Sequence, residues 1–127
     1  MHPESSVVPR DKFDLAAANA AAEAGWPTIE QQVEQLLLWI QDANWPVARI
    51  LAPALAVVGA PLAPYVRHIL VGEDETWKYH VIGAVVAQSP ELVFALRPEL
   101  GRIANLPTPS ERAEGVCQIA RAALENS

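Results

Sequence analysis

The sequence has few of the residues on which metal sites and nucleophilic catalysis depend. It contains one cysteine in 127 residues, Cys117, so no internal disulfide can form. Cys117 lies among apolar residues of a predicted helix, which favours a buried small side chain over a reactive thiol. Neither His68 nor His80 has a second histidine or a cysteine at the spacing of a metal site. We expect no metal and no cofactor.

Sequence motifs of catalysis are also missing. The chain has no glycine-rich phosphate loop, and its serine, histidine and aspartate residues occur in no nucleophile-elbow context. Nothing in the sequence predicts a reaction, and we do not expect an enzyme.

Positive charge is scarce. Nine basic residues stand against fifteen acidic ones, for a formal net charge of -6, and the basic residues are spread singly along the chain. Because an acidic surface repels phosphate backbones, we do not expect nucleic acid as a partner.

Long apolar runs are absent as well. No run approaches the roughly 20 residues that a bilayer-spanning helix needs. Residues 1–9 lack the charged and apolar regions of a signal peptide. We expect a cytoplasmic protein without a membrane partner, made of a flexible tail at 1–9 and a single domain at 10–127.

The pattern of apolar residues predicts helices and no strands. No segment alternates with period two, and no Asn-Gly or Asp-Gly turn occurs. Apolar residues instead recur every three or four positions, as in amphipathic helices. Asp14 predicts the start of a first, alanine-rich helix and Gly25 its end. The clearest apolar stripe follows it, at Ile29, Val33, Leu36, Leu37 and Ile40. The predicted fold class is all-α.

A spacing of 32 residues organises the predicted helices. Asn44, Thr76 and Thr108 fall at this spacing, each where a capping residue would precede a helix. Asp42 and Asp74 share a second phase of the same spacing. Helical hairpins of this length are typical of HEAT and armadillo-like arrays. We predict a short α-solenoid of about three helical hairpins plus an N-terminal capping helix.

Two prolines fall inside predicted helices. Proline removes a backbone hydrogen bond and clashes with the preceding turn, so Pro53 predicts a kink and Pro98 a break. The last predicted helix begins at Thr108 and carries its apolar face as far as Leu124.

Several runs of the sequence resemble a known family. They are Pro9-Arg10-Asp11-Lys12-Phe13-Asp14, the run from Leu37 to Ala48 that contains Gln41-Asp42-Ala43-Asn44-Trp45-Pro46, Asp74-Glu75-Thr76-Trp77-Lys78-Tyr79, and the run from Arg97 to Ala104. Together they resemble an uncharacterised bacterial family of small HEAT-like helical domains, a domain of unknown function. The resemblance covers nearly the whole chain after the tail. It implies a fold and carries no activity.

The polar residues at the predicted hairpin turns have two interpretations. If the turns line up along one edge, the side chains of Asp42, Asn44 and Asp74 would form a polar row that could bind a partner. Alternatively they cap helices and bond to free backbone amides, which is the commoner role of such residues. We favour capping.

The tryptophans and the polar run that follows Trp77 are the remaining candidates. One interpretation is that Trp39, Trp45 and Trp77 make an exposed aromatic strip. The interpretation that we favour is that they pack between neighbouring hairpins. Lys78, Tyr79 and His80 follow one another, so at least one of them should be exposed.

These residues support two functional hypotheses. The first is a non-catalytic protein-protein interaction module, neutralising a basic protein, whose binding residues are Asp42, Asn44, Trp45, Arg49, Asp74, Trp77, Lys78, Tyr79 and His80. The alternative is a small-ligand-binding or enzymatic HEAT-like protein that uses the turn carboxylates Asp42 and Asp74. A homodimer that buries Trp26 or the alanine-rich helix also stays open.

Overall fold

The computed structural model describes residues 7–126, and these residues form helices and turns without any strand. The α-helices are α1 (Leu15–Ala24), α2 (Val33–Leu38), α3 (Pro46–Val58), α4 (Ala63–Leu70), α5 (Glu75–Ala84), α6 (Pro90–Ala95), α7 (Arg97–Asn105), α8 (Pro109–Ala113) and α9 (Val116–Glu125). Short 3₁₀ turns lie at Glu30–Gln32, Trp39–Gln41, Ala60–Leu62 and Val86–Gln88. The all-α prediction is confirmed over this part of the chain.

The beginning of the folded domain differs from the predicted boundary. Residues 1–6 of the expected tail lie outside the described residues. Val7 packs against the core and Pro9 is buried. The packed part of the chain therefore includes positions that the sequence assigned to a tail.

The first helix begins and ends where the sequence predicts. The Asp14 side chain caps α1 by accepting a hydrogen bond from the Ala17 amide. Gly25 ends the helix with φ of 66°, a left-handed value that glycine adopts without a steric penalty. Local capping chemistry is thus sufficient to place α1.

The apolar stripe of the second helical stretch is buried as expected. Its members are at most 2% exposed: Ile29, Val33, Leu36, Leu37 and Ile40. The stretch is not one regular helix, because 3₁₀ turns precede and follow α2. The tighter turns leave all of the stripe facing the core.

The predicted helix interruptions have mixed outcomes. Pro98 lies in the first turn of α7, which separates α6 from α7 as predicted. α3 continues as a helix on both sides of Pro53, and the kink expected there stays a prediction. The last helix is broken where the sequence predicted no break, because Gly115 adopts a φ of 80° between α8 and α9.

The 32-residue capping pattern holds at one of its three positions. Thr108 caps α8. Asn44 makes no cap, since Trp45 precedes α3 without a side-chain cap bond. Thr76 lies inside α5, whose cap is Asp74. The prediction that Asn44 and Thr76 are helix caps is wrong. Asp74 takes the Trp77 amide of α5, and the Val47 amide in the first turn of α3 donates to the Lys12 carbonyl instead.

One apolar core joins the helices. α1 packs on α3, while α9 packs on both α7 and α5. The 3₁₀ turn at Trp39–Gln41 contacts α5 and α3. α5 is therefore central, with the first half of the chain on one side and the last helix on the other.

No single helix between residues 7 and 126 is long and apolar enough to cross a membrane. The segments Pro46–Val58 and Ala60–Leu70 reach that length and composition only together, and they meet at an angle of 107°.

Two glycine substitutions should change stability in opposite directions. Gly115→Ala places a side chain at φ of 80° and should destabilise the protein by about 1–2 kcal/mol. Gly101→Ala lies inside α7, where an added Cβ meets no atom within 4 Å. It should stabilise the protein by about 0.5–1 kcal/mol. Urea unfolding of both variants measures this, and shifts of the same sign would contradict the assigned backbone conformations.

Candidate functional site

The site begins at the first turn of α8, where Thr108 and Glu111 form a capping box. The Thr108 hydroxyl accepts from the Glu111 amide, and Glu111 Oε1 accepts from the Thr108 amide at 2.9 Å. This reciprocal pair satisfies two amides that a helix start leaves free. It also turns the Glu111 carboxylate back into the protein, where it is fully buried.

Two cations meet the buried Glu111 carboxylate. The Arg102 guanidinium binds both of its oxygens, at 2.6 and 2.7 Å. Lys78 Nζ donates to Oε2 at 2.8 Å, and Lys78 is itself only 2% exposed. Bidentate arginine contacts are among the strongest hydrogen bonds of proteins. Glu111 thereby connects α5, α7 and α8.

A second carboxylate completes the arrangement. Glu75 Oε1 lies 2.8 Å from Lys78 Nζ, and the Ser110 hydroxyl donates to Glu75 Oε2. Glu75, Lys78, Arg102 and Glu111 form the group that we call the ion cluster. Its two positive and two negative charges sum to zero, which is the condition under which buried charges are tolerated.

Each charge in the ion cluster is held in its ionised form. The Arg102 hydrogen bonds, helped by those of Lys78 and Thr108 and opposed by burial, lower the pKa of Glu111 from 4.5 to about 2. Burial opposes the ammonium form of Lys78, but hydrogen bonds to Glu111 and Glu75 outweigh it and raise its pKa. Burial also opposes ionisation of Glu75, and Lys78 and Ser110 reverse that effect and lower its pKa. None of these groups is poised to exchange protons near neutral pH, as a general acid or base would be.

An open cleft of about 1030 Å³ lies over the ion cluster. Three further carboxylates line it, those of Glu73, Asp74 and Glu114. Within residues 7–126 none of the three forms an ion pair with a lysine or arginine. Because the ion cluster is neutral, these three charges give the cleft a net negative character. We call it the acidic cleft.

Each turn aspartate accepts a hydrogen bond from a backbone amide two or three residues further along the chain. Asp42 Oδ1 accepts from the Asn44 amide at 2.8 Å, and Asp74 Oδ1 accepts from the Trp77 amide at 3.0 Å. The capping interpretation is confirmed for Asp74, while Asp42 stabilises a turn ahead of α3. Asn44 is exposed at that turn.

The tryptophans pack against the core. Trp39 and Trp45 meet edge to face, with ring centroids 5.6 Å apart. The Trp77 indole Nε1 donates to the Leu37 carbonyl at 3.0 Å. All three are partly buried against the core, so they pack rather than form an exposed strip, while their packing between hairpins stays a prediction.

Not all of the predicted binding residues Arg49, Lys78, Tyr79 and His80 lie on the surface. Lys78 is buried in the ion cluster, so its prediction as a binding residue on the surface is wrong. The physical reason is that Glu111 and Glu75 together stabilise an ammonium there. Tyr79 is 40% exposed and meets the expectation that at least one residue of the run Lys78-Tyr79-His80 is exposed. Arg49 is exposed on α3. The half-buried His80 accepts a hydrogen bond at Nδ1 from the Ala43 amide at 3.1 Å.

Sequence reasoning did not identify Glu111, Arg102 or Glu75 as site residues. One available signal was Thr108-Pro109-Ser110-Glu111, which matches the capping-box pattern. The pairing of Lys78 with a carboxylate 33 residues away is a tertiary contact without a local pattern.

Across residues 7–126, no three histidine, cysteine, aspartate or glutamate side chains gather in a way that could hold a metal ion.

Removing the central carboxylate should destabilise the fold. Glu111→Gln keeps the shape of the side chain but leaves Arg102 and Lys78 short of one negative charge. We expect a loss of about 3–5 kcal/mol in the free energy of unfolding, the range for breaking a buried ion pair. Glu114→Gln, on an exposed side chain nearby, is the matched control and should cost about 0.5 kcal/mol or less. Equal losses in chemical denaturation would contradict the assigned role.

The contribution of Glu111 should depend on pH in a defined direction. Its carboxyl group takes up a proton near pH 4.5 in the unfolded chain, but only near pH 2 in the folded protein. The stability that it supplies is therefore complete above pH 4.5 and is lost as pH falls towards 2. The difference in unfolding free energy between wild type and Glu111→Gln should narrow over that interval. A constant difference would contradict the lowered pKa.

Comparison with known proteins gives a family and no activity. No curated protein matches the chain. Residues 7–124 match the family described as Domain of unknown function (DUF5071). This range includes the capping box, the ion cluster and the acidic cleft. Since the match covers nearly the whole sequence, the chain belongs to the DUF5071 family.

Proposed function

We propose that the protein is a non-catalytic protein-protein interaction module that binds and neutralises a basic segment of another protein in the acidic cleft. The observation that carries the proposal is the charge distribution of the cleft. Its floor is the neutral ion cluster, and its walls hold Glu73, Asp74 and Glu114, for which the described part of the chain supplies no lysine or arginine partner. Lysine or arginine side chains of a partner would supply the missing charge.

The shape of the cleft also suits a protein partner. It is open to solvent along the turn that precedes α5 and the first turn of α8. Ligand pockets are usually enclosed and mainly apolar, whereas carboxylates on an open wall attract a cationic surface from a distance. The net charge of -6 adds to that attraction and accelerates the encounter with a basic protein.

The proposed architecture is a short HEAT-like solenoid. Its support is three of the long-range hydrogen bonds, which join residues about one period apart: Ala60 with Glu91 at 31 residues, Arg67 with Glu99 at 32, and Lys78 with Glu111 at 33. In stacked hairpins each unit contacts the next, so bonds one repeat apart are expected. This spacing agrees with the 32-residue period of the sequence.

The alternative based on Asp42 and Asp74 has no observation in its favour. Each carboxylate already accepts a hydrogen bond from a backbone amide in its own turn. Asp74 lines the acidic cleft and Asp42 does not, so the two carboxylates do not act together there.

Affinity capture with charge variants tests the proposal. The bait is the tagged chain, incubated with lysate of the source cells at low and at high salt. A cleft variant combines Glu73→Gln, Asp74→Asn and Glu114→Gln; asparagine at position 74 keeps a capping side chain. We expect wild type to hold a basic protein that high salt releases and that the cleft variant does not hold.

The matched control removes the same number of charges elsewhere. Glu23→Gln, Glu30→Gln and Glu34→Gln are exposed substitutions away from the cleft, and this control should bind like wild type. If the control and the cleft variant lose the partner equally, general charge rather than the cleft determines binding. If both retain it, the cleft is not the binding surface. Alanine at Lys78 is unsuitable as a test, because it would break the ion cluster.

A further inference from the structure

The outer face of α3 forms an exposed ridge. Arg49, Pro53 and Val57 are spaced four residues apart, so they lie in one row along the helix. All three are exposed, and Val57 is 87% exposed. Within residues 7–126, nothing covers its two apolar members, Pro53 and Val57.

Two apolar grooves flank the ridge. The first has a volume of about 570 Å³ and runs between α3 and the end of α5; its lining includes Ala48, Ala52, Ala56 and Ala84. The second, of about 600 Å³, runs between α3 and the end of α1; its lining includes Ala22, Trp26, Ile50 and Ala54. Pro53 and Val57 border both grooves. The ridge therefore stands between two depressions of nearly equal size.

This shape is complementary to itself. Helices pack by inserting the ridge of one into the groove of the other, and small side chains such as alanine let two helices approach closely. An interface between two identical copies related by a two-fold axis must use one patch that fits itself. A ridge with a groove on each side meets that requirement when the axis passes near Pro53.

Charged groups near the two ends of α3, one on α3 and one on α6, select the antiparallel orientation. Arg49 lies at the beginning of α3, whereas the Glu91 carboxylate lies over its end, above Gly59, and accepts from the Ala60 amide at 3.3 Å. α3 has no basic residue in its last turn to balance the carbonyl ends of the helix. Antiparallel packing would bring Arg49 of each copy to that end of the other. Parallel packing would place Arg49 against Arg49.

We propose that the α3 ridge binds a second copy of the chain, forming an antiparallel two-fold dimer. Pro53 lies near the axis, Val57 of each copy enters a groove of the other, and Arg49 of each copy pairs with Glu91 of the other. The acidic cleft is built from α5, α7 and α8 and lies outside this interface, so the dimer does not depend on the function proposed for the cleft.

Sedimentation equilibrium on the full chain tests the dimer. Wild type should associate reversibly to twice its mass at concentrations up to roughly 1 mM. Val57→Lys places a cation in the interface twice, beside Arg49 of the other copy, and should raise the dissociation constant at least about tenfold. Leu106→Lys, at a residue 74% exposed away from α3, is the matched control and should leave the constant unchanged. A wild type that stays monomeric, as expected if a different protein covers the ridge, would overturn the proposal.

A charge exchange tests the orientation. Arg49→Glu and Glu91→Arg should each be monomeric, because every dimer would contain two like-charged contacts. Mixing the two folded variants should restore association, since both contacts are then between opposite charges. A mixture that remains monomeric, or single variants that dimerise like wild type, would overturn the antiparallel pairing. Circular dichroism checks that each variant is folded. If Glu91→Arg is not folded, Glu91→Gln takes its place and must associate more weakly than wild type.

Discussion

A buried carboxylate is tolerated only when positively charged groups pair with it, and the second half of this protein is arranged to meet that requirement. Glu111 has no exposed surface, and the Arg102 guanidinium, the Lys78 ammonium and the Thr108 amide surround it. Such a group contributes little net stability compared with an apolar replacement, but it is costly to leave unpaired. Helices α5, α7 and α8 are therefore held in the one arrangement that keeps it paired.

The same constraint determines what the protein presents to its surroundings. Because Lys78 and Arg102 are paired with Glu75 and Glu111 in the ion cluster, they do not neutralise the carboxylates at the mouth of the cleft. The cleft is acidic in spite of the two cations at its base. The exposed ridge of α3 instead holds Pro53 and Val57, with the cation Arg49 at its beginning, and the Glu91 carboxylate of α6 lies against Gly59 just past the end of the helix. The two faces differ in chemistry, which supports a basic partner at one and a second copy at the other.

Sequence patterns predicted local structure better than long-range contacts. Asp14, Gly25 and Pro98 act within a single turn, so their effects on helix ends were predictable. The stripe from Ile29 to Ile40 is periodic and was correctly assigned to the core. The break at Gly115 was missed because the surrounding residues fit a continuous helix. Lys78 was placed on the surface because the carboxylate that buries it lies 33 residues later, beyond the reach of any local pattern.

The central claim is that Glu111 is ionised and held by Arg102 and Lys78. Titration of its side-chain carboxyl carbon by NMR, in the folded protein, measures this most directly. The account predicts a midpoint at about pH 2, with the carboxylate still charged at pH 4.5. A midpoint at 4.5 or above would mean that the two cations do not hold the carboxylate, and the neutral floor of the acidic cleft would be lost with it.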